Sequence, residues 1–179
     1  MKILKTILLI VLGIIVIALI AAIFIKKDYA VERQTTINKP RQEVFEYVKH
    51  IKNQDNYSVW NQLDPNMQKA YTGVDGTVGF TYAWDSEKKE AGKGEQTIAA
   101  IKDGERIDMK LHFIKPFEAN DSAYMVTEDT GNGQTLVKWG FYGRMDYPMN
   151  LMLVMMNMDE MLGKDLQSGL NNLKTILEK

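Results

Sequence analysis

The segment from Thr6 to Ile25 constrains the fold more than any other part of the chain. Its twenty residues carry no charge and only one hydroxyl group. A helix of this length rises about 30 Å, which matches the hydrocarbon core of a bilayer. The alternative is a cleaved signal peptide, whose apolar stretch runs about 7–15 residues and ends in small residues. Here the stretch is longer and ends in Phe24-Ile25-Lys26-Lys27, so we expect an uncleaved single-pass anchor.

Positive charges flank this segment on both sides. Lys2 and Lys5 precede it, and Lys26, Lys27 and Arg33 follow it. Because the charges are balanced, the positive-inside rule assigns no side of the membrane to the rest of the chain. We expect residues 1–28 to be a transmembrane anchor that contacts the lipid bilayer through residues 6–25. Residues 29–179 should form one folded domain, since about 150 residues is the size of a domain with a single core.

The charge and the cysteine content of the domain exclude several classes of function. Four of the 22 basic residues flank the apolar segment, so residues 28–179 carry 18 basic and 23 acidic side chains. Nucleic-acid binding depends on Lys and Arg that neutralise phosphates, and an acidic domain is a poor candidate for it. The chain has no cysteine, which excludes disulfides, thiolate nucleophiles and cysteine-ligated metal sites. We expect no nucleic-acid partner and no cofactor.

The hydrophobic pattern predicts a strand, one or two short helices, about six antiparallel strands and a long C-terminal helix. Asn38-Lys39-Pro40 indicates the start of the first helix of the domain, because Asn caps helices and Pro is tolerated in their first turn. Residues 149–161 are apolar nearly all round, so we expect them to be buried or covered. The last helix carries a stripe of leucines, namely Leu162, Leu166, Leu170, Leu173 and Leu177.

An antiparallel sheet with one apolar face needs a cover, and the only long amphipathic element is the last helix. We therefore predict an α+β fold in which a curved antiparallel sheet wraps around the C-terminal helix. The space between them is the candidate binding site. Apolar strand faces and flexible methionines suit its lining, and ordinary core packing is the alternative for each residue. The predicted ligand-binding residues are Trp60, Phe80, Tyr82, Trp84, Phe113, Trp139, Phe141, Met152 and Met155.

Catalytic and metal-binding residues are sparse. Glu95 would have a raised pKa if it were turned into an apolar pocket, and an outward, solvated glutamate is the alternative. His50 and His112 are the only histidines, and neither belongs to a visible triad or metal cluster. The methionines of residues 149–161 lack the His or Cys that usually completes a copper site. We expect no metal, and we name no catalytic residue beyond the candidate Glu95.

The chain resembles the START-like (SRPBCC) superfamily, which has the helix-grip fold. More narrowly, it is similar to the polyketide cyclase/dehydrase-like bacterial branch, many of whose members carry an N-terminal membrane helix. The resemblance covers essentially all of residues 29–179 and is carried by GTVGFTYAW from Gly76, GKGEQTI from Gly92 and TLVKWGFYG from Thr135. It implies a hydrophobic-ligand cavity between the sheet and the C-terminal helix, and a place in a bacterial plasma membrane. It implies no reaction, because fold alone does not fix function.

Three functions remain open at this point. The first is non-catalytic binding of a hydrophobic small molecule or lipid close to the bilayer. The second is a cyclase or dehydratase type of enzyme, with Glu95 and Tyr82 or Tyr142 as acid–base groups. The third is a protein-interaction module with a filled core. Two titratable groups that converge inside the cavity would favour the enzyme, and the lack of a void of about 300 Å³ would favour the interaction module.

Overall fold

A computed structural model describes residues 2–179 as one apolar helix followed by a domain of sheet and helices. The apolar helix, α1, spans Lys2–Phe24. Among the described residues it is the one helix long and apolar enough to cross a membrane. The first strand begins at Asp28, so only residues 25–27 separate the helix from the domain.

Seven antiparallel strands form a single curved sheet. They are β1 Asp28–Ile37, β2 Gln68–Thr72, β3 Thr81–Asp85, β4 Lys93–Lys102, β5 Arg106–Lys115, β6 Ala119–Gly131 and β7 Gln134–Arg144. Their order in the sheet is β1-β7-β6-β5-β4-β3-β2, so the first and last strands of the chain are neighbours. The first strand pairs with the last along its whole length, from Asp28 opposite Arg144 to Ile37 opposite Thr135.

One long helix lies against the concave face of this sheet, and several short helices complete the domain. Leu166, Leu170 and Leu173 of the long helix are fully buried against the sheet, as the leucine stripe predicts. The α+β helix-grip architecture expected from the sequence is confirmed. The helices of the domain are α2 Arg41–Val48, α3 Gln54–Tyr57, α4 Val59–Gln62, α5 Met152–Met155 and α6 Met158–Leu177, with 3₁₀ turns at Ile51–Asn53 and Met149–Leu151.

The start of α6 is fixed to β1. The Asn157 side chain accepts a hydrogen bond from the Glu160 N–H at 3.1 Å, which caps the helix. The Arg33 guanidinium donates to both carboxylate oxygens of Asp159 at 2.9 Å and lies over Gly163, where any side chain would collide with it. Such a bidentate arginine–carboxylate pair fixes the relative orientation of the two side chains as well as stabilising their contact. It holds the first turns of α6 at one place on the sheet.

Two expectations about helix ends and burial differ from the structure. Asn38 does not cap α2, because Pro40 occupies the position before the helix and the Asn38 side chain instead accepts from Gln134 Nε2 at 2.6 Å. The apolar residues 149–161 are not all buried, since Val154 and Met155 are 70% and 85% exposed. This second difference leaves an apolar surface that no other part of the domain covers.

A buried amide connects α1 to the domain. Asn150 is fully buried, and its Nδ2 donates to the backbone oxygens of Ala22 at 2.7 Å and Ile25 at 3.0 Å. The last carbonyls of a helix have no partner within the helix, and Asn150 supplies partners for two of them. On the other side of the junction the Met145 N–H donates to the Lys27 oxygen at 2.9 Å. The helix and the domain therefore meet through specific hydrogen bonds.

Candidate functional site

A cavity of about 310 Å³ lies between the concave face of the sheet and α6. Leu162 and Leu166, near the start of α6, line it, whereas Leu170 and Leu173 pack into a filled core further along the helix. The interface is thus open at one end and solid at the other. The volume lies at the lower end of the range of about 300–1,000 Å³ that is usual for ligand pockets.

The cavity lies toward the end of the sheet at which the chain leaves α1. Strand β1 begins there at Asp28, and its pairing places Arg144 at the same end of the sheet. Each of the other long strands also has one terminus at this end, because the pairing is antiparallel throughout, with Lys93 opposite Lys115. The cavity is lined from this end of the sheet by Tyr29, Ala91, Lys115 and Pro116.

Seven aromatic side chains line the cavity. Trp60 meets Trp139 edge-on with ring centroids 5.8 Å apart, and Tyr82 stacks on Trp84 at 5.7 Å. Such edge-on and offset pairs suit the quadrupoles of the rings. All three tryptophans of the chain take part. Of the nine residues predicted to bind a ligand, six line the cavity: Trp60, Tyr82, Trp84, Phe113, Trp139 and Phe141.

Two glycines make room for the tryptophan rings. A Cβ atom on Gly169 of α6 would lie 2.7 Å from Cζ3 of Trp139, and one on Gly94 of β4 would lie 2.7 Å from Cζ2 of Trp84. Both distances are far below van der Waals contact. The Trp84 Nε1–H donates to the Ala91 oxygen at 3.0 Å, which satisfies its only polar group. The rings are therefore fixed in position.

Three of the predicted residues do not line this cavity. Phe80 is 1% exposed and stacks on Tyr71, with ring centroids 6.2 Å apart. It shares a face with Tyr82 but lies two residues, or about 6.6 Å, before it, just ahead of β3 and in the filled part of the core. Met152 and Met155 belong to the short helix α5, and Met155 is almost fully exposed. Helical periodicity predicts an apolar surface there but not what faces it.

The candidate acid–base groups are divided between the two faces of the sheet. Ala83 pairs with Glu95, and Tyr82 pairs with Gln96. Alternate residues of a strand point to opposite faces, so Glu95 lies on the outer face, where its carboxylate is 3.7 Å from His112 Nδ1. Tyr142 also lies on the outer face. Only Tyr82 faces the cavity, where burial raises the pKa of its hydroxyl far above its ordinary value.

Polar side chains that sequence reasoning missed also line the cavity. Gln54, Ser58 and Gln96 are at most 8% exposed and border it. The side-chain amides of Gln96 and Gln54 approach one sulfur atom, that of Met109, at 2.8 and 3.8 Å. A thioether is a weak acceptor, so both amides keep hydrogen-bonding capacity toward the cavity. Gln96 is recognisable in the sequence because it alternates with Gly94 and Ile98, whereas the segment that holds Gln54 and Ser58 has no periodicity.

Tyr29 and Asp121 are a second pair that the prediction omitted. The pairing of β6 with β7 stops at Ser122, and beyond it Asp121 Oδ1 accepts the Arg144 N–H at 3.1 Å. Burial raises the pKa of Asp121, and this hydrogen bond partly opposes the shift. Burial, with a contribution from the Asp121 charge, raises the pKa of Tyr29 to about 12. Asp121 shares strand parity with the inward Ala123, which could have revealed it.

Within residues 2–179, the structure contains no group of three or more His, Asp or Glu side chains that could hold a metal ion. The arrangement at the cavity is a different one: apolar walls, two buried side-chain amides, the Asp121 carboxylate beside the Tyr29 phenol, and the exposed charged residues Glu90 and Lys115. Such a set can hold an apolar molecule and make hydrogen bonds to a polar group on it.

Comparison with known proteins identifies the fold. No family model and no curated protein matches the chain. A protein from Nitrosospira multiformis matches with a TM-score of 0.60 and 15% identity, over 83% of this chain and 96% of that one. The major latex-like protein 151 of Panax ginseng matches with a TM-score of 0.59 and 13% identity, over 85% and 99%. DynU16, from the dynemicin biosynthetic locus, matches with a TM-score of 0.58 and 12% identity, over 84% of this chain and 47% of that one. These likenesses establish the fold, and the chain has the helix-grip fold of the START-like proteins.

Proposed function

We propose that the chain is a membrane-tethered binding protein for a hydrophobic small molecule or lipid held between the sheet and α6. The observation that carries this proposal is the cavity of about 310 Å³ with its aromatic wall. Burial of an apolar surface in such a cavity contributes about 25 cal/mol per Å². A protein that served only as an interaction module would have no need of this void.

The buried amides set the chemistry of the ligand. Gln54 and Gln96 each present a donor and an acceptor, and their present partner is a sulfur atom. A ligand with an apolar body and one neutral polar group, such as a carbonyl, hydroxyl or protonated carboxyl, would satisfy them better than the thioether does. We therefore expect an amphipathic guest rather than a pure hydrocarbon.

The exposure of α1 supports membrane tethering. From Ile7 to Phe24 its side chains are apolar all round, and Ala22 is its one buried residue. A helix of this kind is unstable in water unless lipid or protein surrounds it. Asn150 argues against a cleaved signal peptide, because removal of the helix would deprive a buried amide of both its acceptors. We propose residues 1–28 as a single-pass anchor in a bacterial plasma membrane and residues 29–179 as the domain it carries.

A cyclase or dehydratase type of enzyme is the second candidate. The observation in its favour is that Tyr29 and Asp121, both with raised pKa values, line the cavity. A carboxyl group of raised pKa beside a phenol is suited to general acid–base chemistry. Glu95 has no part in this proposal, because it faces away from the cavity. The enzyme would turn over a carbonyl substrate only with Asp121 intact, whereas a binding protein would retain its ligand in the Asp121→Asn variant.

Native mass spectrometry of the full chain tests the binding proposal. The protein would be extracted from membranes in a mild detergent and released from the micelles in the instrument. We expect a fraction of the protein to carry one additional lipophilic molecule, and the same spectrum gives the intact mass that shows whether residues 1–28 are retained. No adduct, together with no thermal stabilisation by added undecan-1-ol, would contradict binding.

A further inference from the structure

An exposed apolar surface beside α1 is not explained by the cavity. Residues 147–158, which we name the methionine segment, form a run of twelve residues without a charge. They comprise the 3₁₀ turn Met149–Leu151, α5 and the start of α6. Val154 and Met155 are 70% and 85% exposed, and Tyr147 and Met149 are nearly half exposed. Contiguous apolar surfaces of this kind mark a contact with a membrane or another protein.

The hydrogen bonds of Asn150 fix the position of the methionine segment along the axis of α1. Its amide is bonded to the oxygens of Ala22 and Ile25, which belong to the last turn of the apolar stretch. In a membrane-spanning α1, that turn lies at the boundary between hydrocarbon and headgroups. The methionine segment is held at the same level, beside the helix.

Charged groups lie immediately beyond the segment. Asp146 precedes it and lies 3.6 Å from Lys27 Nζ and 3.1 Å from Arg144 Nε. Arg144 also contacts Asp28 at 3.0 Å. These residues form a charged layer next to an apolar one, which is the order that a molecule meets when it passes from headgroups into acyl chains.

We propose that the methionine segment is a second membrane contact, in which Val154 and Met155 insert beside the headgroups next to α1. The inference rests on the membrane anchoring proposed above. Transfer of apolar side chains from water into the interface is favourable in proportion to the apolar area removed from water. The flexible, unbranched methionine side chain suits a disordered lipid surface.

This contact also orients the cavity. The methionine segment continues directly into α6, where Leu162 lines the cavity. Tyr29, at the start of β1, lines it from the side of α1. With two attachments to the bilayer the domain cannot rotate freely about α1, and the open end of the sheet–helix interface is directed at the membrane. An apolar ligand then passes between cavity and bilayer with little exposure to water.

Single cysteines test the proposal, because the natural chain has none. Val154→Cys and Met155→Cys, each labelled with a nitrobenzoxadiazole fluorophore, would be reconstituted as the full chain into phosphatidylcholine vesicles. Some vesicles would carry a nitroxide on the acyl chain near the headgroup. We expect strong quenching at both positions. The matched control is Asp103→Cys, in the exposed turn between β4 and β5 at the end of the sheet far from α1, where we expect no quenching.

A third position separates failure of this proposal from failure of the anchor. Ile15→Cys lies in the middle of α1 and should be quenched by a nitroxide near the end of the acyl chain if α1 spans the bilayer. The label at Ile15 could be quenched while the labels at 154 and 155 are as solvent-accessible as the label at 103. That result would overturn the second membrane contact but not the anchor. Labels at 154 and 155 that are shielded from water but not quenched by lipid would also overturn it, since a second copy of the chain would then cover the segment.

Discussion

Asn150 determines how firmly the domain is joined to α1. Asn150→Asp keeps the shape of the side chain but removes both N–H donors, which leaves the oxygens of Ala22 and Ile25 facing a carboxylate. The loss of a partner by a buried polar group costs about 1–3 kcal/mol. We expect trypsin to cleave the detergent-solubilised variant after Lys26 or Lys27 faster than it cleaves the wild type.

The control for this measurement is Asn171→Asp, at an exposed position of α6. It makes the same chemical change far from the junction. Equal cleavage rates for wild type and Asn150→Asp would show that the two hydrogen bonds do not hold the junction.

Asp121 is the residue whose charge the cavity destabilises most clearly. Because burial raises its pKa in the folded state, the ionised form is disfavoured there. Its contribution to the free energy of unfolding is therefore most favourable at low pH and is lost as the pH rises through the folded-state pKa. Asp121→Asn keeps an acceptor for the Arg144 N–H and carries no charge.

We expect Asp121→Asn to melt at a higher temperature than the wild type at about pH 7, with the difference shrinking toward about pH 3, where aspartates are protonated. Thermal unfolding followed by circular dichroism measures this, and Asp103→Asn in the exposed hairpin turn is the control. A variant less stable than the wild type at neutral pH would mean that the ionised carboxylate is stabilised in the fold.

At the scale of elements, the contact of α6 with the sheet depends on Gly169. Alanine has the better helix propensity by about 1 kcal/mol. The new methyl group, however, would lie 2.7 Å from the Trp139 ring, which is 5% exposed and packs between Tyr57 and Trp60. Overpacking of a core costs about 1–3 kcal/mol, so it outweighs the gain in propensity.

We therefore expect Gly169→Ala to lower the midpoint of urea unfolding and to change the tryptophan emission. Ser168→Ala, one residue away, gains helix propensity without a clash and should not lower the midpoint. A Gly169→Ala variant as stable as Ser168→Ala would show that α6 can move away from the sheet at little cost.

The regular elements were predictable because their signals are local. Strand β5 alternates Ile107, Met109 and Leu111 inward with polar residues outward, and α6 carries its leucine stripe. The cap of α2 was not predictable from Asn38, because Gln134 on β7 competes for that side chain through a contact distant in sequence. The burial of Gln54 and Ser58 was not predictable for the same reason. The contact between helices and sheet buries them, and the sequence around them has no helical or strand periodicity.

The candidate site was predictable in part. Strand parity placed Tyr82, Trp84, Trp139 and Phe141 on the inner face. Parity does not say how far along the sheet the cavity extends, so the same pattern also selects Phe80, where the core is filled. The same rule, applied to Asp121, would have added a carboxylate to the lining.

The whole molecule combines three features at one end of the sheet: the open part of the sheet–helix interface, the junction with α1 and the methionine segment. The filled core lies at the other end and supplies the stability of the domain. This division leaves the cavity free to admit a guest without loss of the fold.

The most direct test of the central claim uses the three tryptophans, all of which line the cavity. Bromine quenches indole fluorescence only at short range, so 11-bromoundecan-1-ol would be titrated into the full chain in lipid nanodiscs, with undecan-1-ol as the unbrominated reference. Ala123→Leu fills the cavity from β6, and Ala100→Leu adds the same atoms at an exposed position of β4.

We expect saturable quenching in the wild type and in Ala100→Leu, and an affinity weaker by about tenfold or more in Ala123→Leu, which is about 1.4 kcal/mol. Quenching of equal strength in all three proteins would place the brominated alcohol in the bilayer rather than between the sheet and α6, and would contradict the proposed binding site.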